Sequence, residues 1–141
     1  MTALRSIAFY LYCLALLPGF VYGILYLTRN RFMPYHAAAL GRTWDELDLR
    51  LQTLLIGLLK IVGGCMFTCS TAGVILLWIP FRAGDVWTNW TLLAIVCCAG
   101  IPAVYSTFLI HAKTGAATPR AAALTVPAIG ILAFLLAQLG R

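Results

Sequence analysis

The sequence predicts an all-α integral membrane protein, a four-helix bundle whose second helix carries an amphipathic N-terminal extension. Three observations carry this. Of the 141 residues, 62% are hydrophobic and only 10% are charged, against about 25% charged in a soluble domain. The mean hydropathy is +0.94. The apolar residues fall into four runs, each near the roughly 20 residues that a spanning helix needs. A chain this short exposes too much of its surface to hide so much apolar area from water, so the bilayer is its solvent. The predicted spans are 7–28, 57–79, 87–110 and 120–139, preceded at the second by an amphipathic helix over 44–60. Together they make residues 1–141 one transmembrane domain with no room for a soluble catalytic domain.

The first run follows Arg5 and resembles a signal core. It is too long for one, and bulky Phe20, Tyr22 and Tyr26 stand where a small-residue cleavage site belongs. It reads as a retained span, with Pro18-Gly19 tolerated inside the lipid. Arg29-Asn30-Arg31 ends it, and Pro34-Tyr35-His36 reads as a turn or a short interfacial segment. Thr43-Trp44-Asp45-Glu46 has the pattern of a capping box, with two acids at the positive end of the helix dipole. From there a helical pattern continues to Ile79, some 35 residues or about 52 Å, which exceeds the hydrocarbon thickness of about 30 Å. A helical projection accounts for the excess. Leu47, Leu51, Leu54, Leu55, Leu58 and Val62 share one arc, and Asp45, Glu46, Arg50, Gln52, Thr53, Gly57 and Lys60 lie opposite. An amphipathic helix therefore feeds into the second span, with Gly63-Gly64 as the expected bend.

Pro80 to Asp85 forms the next turn, flanked by Trp78, Trp87 and Trp90 as an interfacial aromatic belt. Asn89-Trp90-Thr91 matches a glycosylation sequon but abuts the membrane. Gly100-Ile101-Pro102 interrupts the third span. Thr118-Pro119 is expected to open the fourth helix as N-cap and first residue. The first and third loops carry Arg29, Arg31, Arg42, Arg50, Lys113 and Arg120, against Arg5, Arg82 and Arg141 on the other side. The positive-inside rule then puts both termini outside the cytoplasm.

The net charge of +6 sits mostly in these loops, where orientation and anionic headgroups explain it without nucleic acid. The five cysteines all lie in apolar runs without C-x-x-C spacing, as small packing residues do. Every acidic residue lies in or near a loop, which argues against a proton-coupled exporter, because that needs a carboxylate in the membrane; a facilitator or channel stays open. His36 and His111 have no third ligand at helical spacing, so neither a metal nor a cofactor is expected.

Candidate ligand or headgroup residues gather around the first loop: Tyr35, His36, Arg42, Trp44, Glu46, Arg50 and Gln52, with Lys60 and His111 beside them. The simpler reading is a loop anchored at the interface by Trp44 and Tyr35. Lys60 is the one cation near the hydrocarbon. It either snorkels to the headgroups or binds an anionic group. Gly57, Gly64 and Thr71 recur every seven residues on one stripe of the second helix, where small residues let helices approach.

The pattern Met33-Pro34-Tyr35-His36, Leu40-Gly41, Trp44-x-Glu46-Leu47, Gln52 and Gly63-Gly64 resembles a group of small bacterial four-helix membrane proteins of unassigned function. The resemblance implies a bacterial inner membrane and the four-span fold, and it implies no activity.

No nucleophile, metal or carboxylate set has a recognisable catalytic spacing. The leading expectation is accordingly a non-enzymatic protein that self-associates as a homo-oligomer or serves as an accessory subunit of a larger membrane complex. The alternative is a lipid- or small-molecule-handling protein, a facilitator or a membrane-embedded enzyme, with its site at the cytoplasmic rim.

Overall fold

A computed structural model describes residues 2–141, which are almost entirely helical, with no strand among the described residues. Helix α1 (Ala3–Thr28) is followed by the short α2 (Pro34–Leu40) and one 3-10 turn (Trp44–Glu46). Helix α3 (Leu49–Leu76) continues through a π-turn at Leu77–Phe81, and α4 (Val86–Thr114) and α5 (Arg120–Leu139) complete the chain. Helices α1, α3 with its π-turn, α4 and α5 are long and apolar enough to cross a membrane. The chain is a multi-pass, all-α membrane protein with the predicted four-helix architecture. All four predicted spans fall inside these helices.

The extension of the second span is present, but it begins later than the sequence pattern indicates. The Glu46 carboxylate does accept the Thr43 amide, at 2.7 Å, yet the helix it starts lasts a single turn. Leu47 is extended, with φ −85° and ψ 143°, and buries its side chain. Helix α3 then starts afresh, with Asp48 Oδ1 accepting the amides of Arg50 and Leu51, both at 3.0 Å. The Gln52 side-chain amide donates to the carbonyls of Trp44 (2.9 Å) and Leu47 (3.1 Å). It thereby satisfies backbone groups that an unbroken helix would have paired itself. Through Gly63-Gly64 the helix runs on without a break; its irregularity is the π-turn around Pro80, whose missing N–H a wider turn accommodates. Gly84, at φ +104°, then turns the chain through a left-handed conformation that favours glycine.

The four long helices run up and down, so both chain ends meet at one end of the bundle. There the Thr2 hydroxyl donates to the Gly140 carbonyl at 2.7 Å, and Arg5 Nη2 donates to the Phe81 carbonyl at 2.6 Å. Helix α1 is central, packed on α3 at one side and α5 at the other, while α4 packs on α5. Small residues set each seam. A Cβ on Gly63 would lie 2.8 Å from the Tyr26 Cβ and 3.0 Å from the Gly23 carbonyl oxygen, so α1 and α3 touch backbone to backbone. Gly73 admits Leu16, Gly100 faces Pro127, and Gly130 faces Val96.

The two ends of the bundle differ in packing. At the termini end, Ala8, Tyr12, Leu77, Phe81, Leu92, Val96, Ala133 and Ala137 form a closed core. A buried polar clamp crosses it. The Tyr12 hydroxyl donates to Asn89 Oδ1 at 2.8 Å, and Asn89 Nδ2 donates to the Phe134 carbonyl at 3.2 Å, tying α1, α4 and α5 together. Asn89 is 4% exposed, so the sequon match is an inward-facing packing residue. Away from the turn that joins them, α3 and α4 make little contact. The bundle is closed at the termini end and splayed at the other.

Candidate functional site: a cavity beneath an aromatic rim

The splay leaves a cavity of about 270 Å³ inside the bundle. All four long helices contribute to its wall, and α2 supplies Tyr35. The space exists because the facing residues are small: Ala15 and Gly19 on α1, Ala99 and Ala103 on α4, Ala122 and Ala123 on α5. Leucines at those places would fill it. Its polar side chains are the hydroxyls of Tyr22, Tyr26, Tyr35, Ser70, Thr107 and Thr125, with the Cys69 thiol.

Above the cavity, α2 and the α1–α3 connection form an aromatic rim. Pro34 opens α2 at its first residue, where a missing N–H costs nothing, and Gly41 closes it in a left-handed conformation at φ +65°. The short helix packs against α4 and holds the Tyr35 hydroxyl in a hydrogen bond with the Tyr26 hydroxyl of α1. Burial, reinforced by that bond, pushes the Tyr35 phenol far above its ordinary range, so it stays neutral. His36 Nδ1 accepts the Met33 amide at 3.2 Å, and its ring lies among Tyr26, Phe32 and Tyr35. Burial lowers its pKa, which favours the neutral imidazole that this bond requires. Phe32 is buried and meets the Trp44 ring edge-on at 5.0 Å.

The structure therefore brings Tyr35, His36 and Trp44 together at the rim, and only Tyr35 reaches the cavity wall. The other sequence candidates have separate roles. Arg42 and Arg50 are exposed. Glu46 holds its one-turn cap, and Gln52 fastens the loop to α3. Lys60 lies at the end of α1, where Nζ donates to the carbonyls of Leu27 (2.6 Å) and Arg29 (2.7 Å). A cation there completes the unpaired carbonyls at the negative end of the helix dipole. His111 bonds through Nδ1 with the Ala116 carbonyl at 2.9 Å, inside its own loop. The Thr118 hydroxyl donates to the Thr107 carbonyl at 2.8 Å, so it ties that loop to α4 and does not cap α5.

The stripe Gly57, Gly64 and Thr71 takes no part in the α1–α3 seam. A Cβ on Gly57 or Gly64 would meet nothing within 4 Å, and the Thr71 hydroxyl donates to the carbonyl of Phe67 in its own helix. The seam runs one residue earlier, through Gly63 and Ser70, with Gly73 beyond. Among the described residues, no cluster of three or more His, Cys, Asp or Glu side chains is placed to hold a metal ion.

No protein-family model, curated protein or solved structure matches the chain. The cavity itself is the strongest pointer to function.

Tyr22, Tyr26 and Ser70 are the functional candidates that sequence reasoning missed. Gly19-x-x-Tyr22-Gly23-x-x-Tyr26 does carry a signal, since residues three and four apart share a helix face. It places two tyrosines beside the glycines that seat α3.

Proposed function

We propose that the protein binds an apolar small molecule or a segment of lipid in this intramembrane cavity, presenting or moving it across the splayed end of the bundle. The observation that carries the reading is the cavity: about 270 Å³ walled by small side chains from four helices. Binding sites for small molecules are typically concave, mostly apolar spaces of this order with a few placed polar groups, and an apolar space of roughly 150 Å³ already accepts a benzene. A bundle built only for packing would close the space with larger residues, as it does at the termini end. Following the excess of Arg and Lys around the rim, the rim faces the cytoplasm and both termini lie outside. The resemblance to small bacterial membrane proteins supports an inner-membrane location.

Tetralin, an apolar bicycle sized to the space, tests the reading. It is expected to raise the melting temperature of the wild-type protein in detergent and to leave that of Ala103→Leu unchanged. Equal shifts in both proteins, or none in either, would sink the proposal.

A second reading, self-association or an accessory role in a larger complex, is favoured by Gly57 and Gly64, which line an open part of α3 with no neighbour inside the chain. Substituting both by leucine separates the two readings: loss of dimers in native mass spectra supports self-association, and unchanged mass with unchanged ligand binding removes it.

A further inference from the structure

The cavity's chemistry narrows what it accepts. Its lining contains no Asp, Glu, Lys, Arg or His. A charged ligand seated there would lose its hydration and gain no counter-charge, which strongly disfavours it. The occupant must therefore be neutral.

The lining hydroxyls narrow it further. Thr107 and Thr125 spend their protons on carbonyls of their own helices, Val104 at 2.9 Å and Ala122 at 2.8 Å. Tyr26 and Tyr35 bond each other, which commits one of their two protons. Two hydroxyls have no hydrogen-bond partner among the described residues. Ser70 is 4% exposed and lies against Gly19, where a Cβ would collide with its oxygen. Tyr22, half-buried, stands one turn farther along the same face of α1, and both residues line the cavity. A serine inside a helix ordinarily returns its proton to the carbonyl four residues back, which Ser70 does not do. Both hydroxyls stand on the cavity wall with their protons uncommitted, so an occupant that offers an acceptor would gain a hydrogen bond there.

We infer that the occupant is a neutral molecule with an apolar ring or chain and one hydrogen-bond-accepting oxygen, a ketone, quinone or ester carbonyl, received by the hydroxyls of Ser70 and Tyr22. This rests on the cavity being a binding site, as proposed above. Gly19 has a defined part in it: the missing side chain leaves room for the Ser70 hydroxyl, which a Cβ there would overlap. Free small molecules and lipid esters both offer such an oxygen, and the experiment separates them.

Three probes of one shape test the inference on the whole protein in nanodiscs: tetralone (a ketone), tetralin (the same skeleton without oxygen) and tetralin carboxylate (an anion). Saturable binding is measured against Ala103→Leu in the same lipid, which subtracts partition into the bilayer. Tetralone is expected to bind about three- to tenfold more tightly than tetralin, the worth of a net hydrogen bond, and the carboxylate not to bind saturably. Ser70→Ala and Tyr22→Phe each remove only a hydroxyl and should erase most of the tetralone advantage while leaving tetralin binding intact. Competition by a short-chain diacylglycerol, but not by the matching alkane, would assign the oxygen to a lipid ester; tetralone binding without that competition assigns it to a free small molecule. Equal binding of tetralone and tetralin overturns the inference and leaves the cavity site standing. Saturable carboxylate binding overturns it too. If no probe binds beyond the Ala103→Leu background, the cavity reading falls with it.

Discussion

His36 sits half-buried among Phe32, Tyr35 and Tyr26, with Nδ1 already engaged by the Met33 amide. Its folded pKa is lowered by burial, whereas the unfolded residue titrates near 6.5. Between the two values the unfolded chain binds more protons, so stability rises with pH across that window and is lost as pH falls below about 6.5. The melting temperature in detergent is accordingly expected to drop between pH 7.5 and pH 5. In His36→Asn, which keeps an acceptor near the Nδ1 position but does not titrate, that drop should be smaller; an unchanged slope would show that His36 is not its source. Lys60 makes a different kind of contact, to the last carbonyls of α1. Lys60→Met should cost about 1 kcal/mol of stability, as expected for a charge at an exposed helix end, and leave tetralin binding unaltered. Loss of binding at full stability would instead make Lys60 a ligand residue. The sequence singled out both residues as ligand or headgroup candidates. It did not reveal their partners, because a helix end supplies backbone carbonyls that no side-chain pattern encodes.

Between elements, the α1–α3 seam makes the sharpest prediction. Gly63→Ala places a methyl 2.8 Å from the Tyr26 Cβ and 3.0 Å from backbone atoms of Gly23 and Leu27, none of which is the end of a flexible side chain. It should cost about 1–3 kcal/mol, the range for overpacking. Gly64→Ala meets nothing within 4 Å and should leave stability unchanged or raise it by up to about 1 kcal/mol, as glycine gives way to a better helix former. Unfolding both variants in denaturing detergent decides the register: similar costs for the two would contradict the seam. The sequence revealed a seven-residue recurrence of small residues but the adjacent stripe. In a helix that is apolar nearly all round, periodicity gives the spacing of a face and leaves open which face meets a neighbour. The same limit hid the clamp from Tyr12 through Asn89 to the Phe134 carbonyl, since Asn89 reads only as a polar residue near the start of the third span until α1 and α5 close over it. The helical pattern in the sequence runs straight across the break at Leu47–Asp48. Two acceptable caps, Thr43 and Asp48, stand five residues apart, and burial of Leu47 with the Gln52 bonds decides between them.

For the whole molecule, four spans and two polar rims follow from hydropathy alone, because a bilayer demands long helices with internally paired backbones. The cavity does not follow from it. Small residues line it, and small residues also make the tight seams. Only the splay of α3 from α4 separates an empty wall from a packed one. The result is one bundle with a closed core at the termini end and an open chamber beneath α2, a division suited to holding a molecule at one membrane face. That chamber is the central claim, and the most direct test is what travels with the protein. Native mass spectrometry after extraction in mild detergent, followed by organic extraction of the same sample, is predicted to show a neutral bound molecule on the wild-type chain that is absent from Ala103→Leu. A bare wild-type mass, or the same adduct on both proteins, would contradict the account.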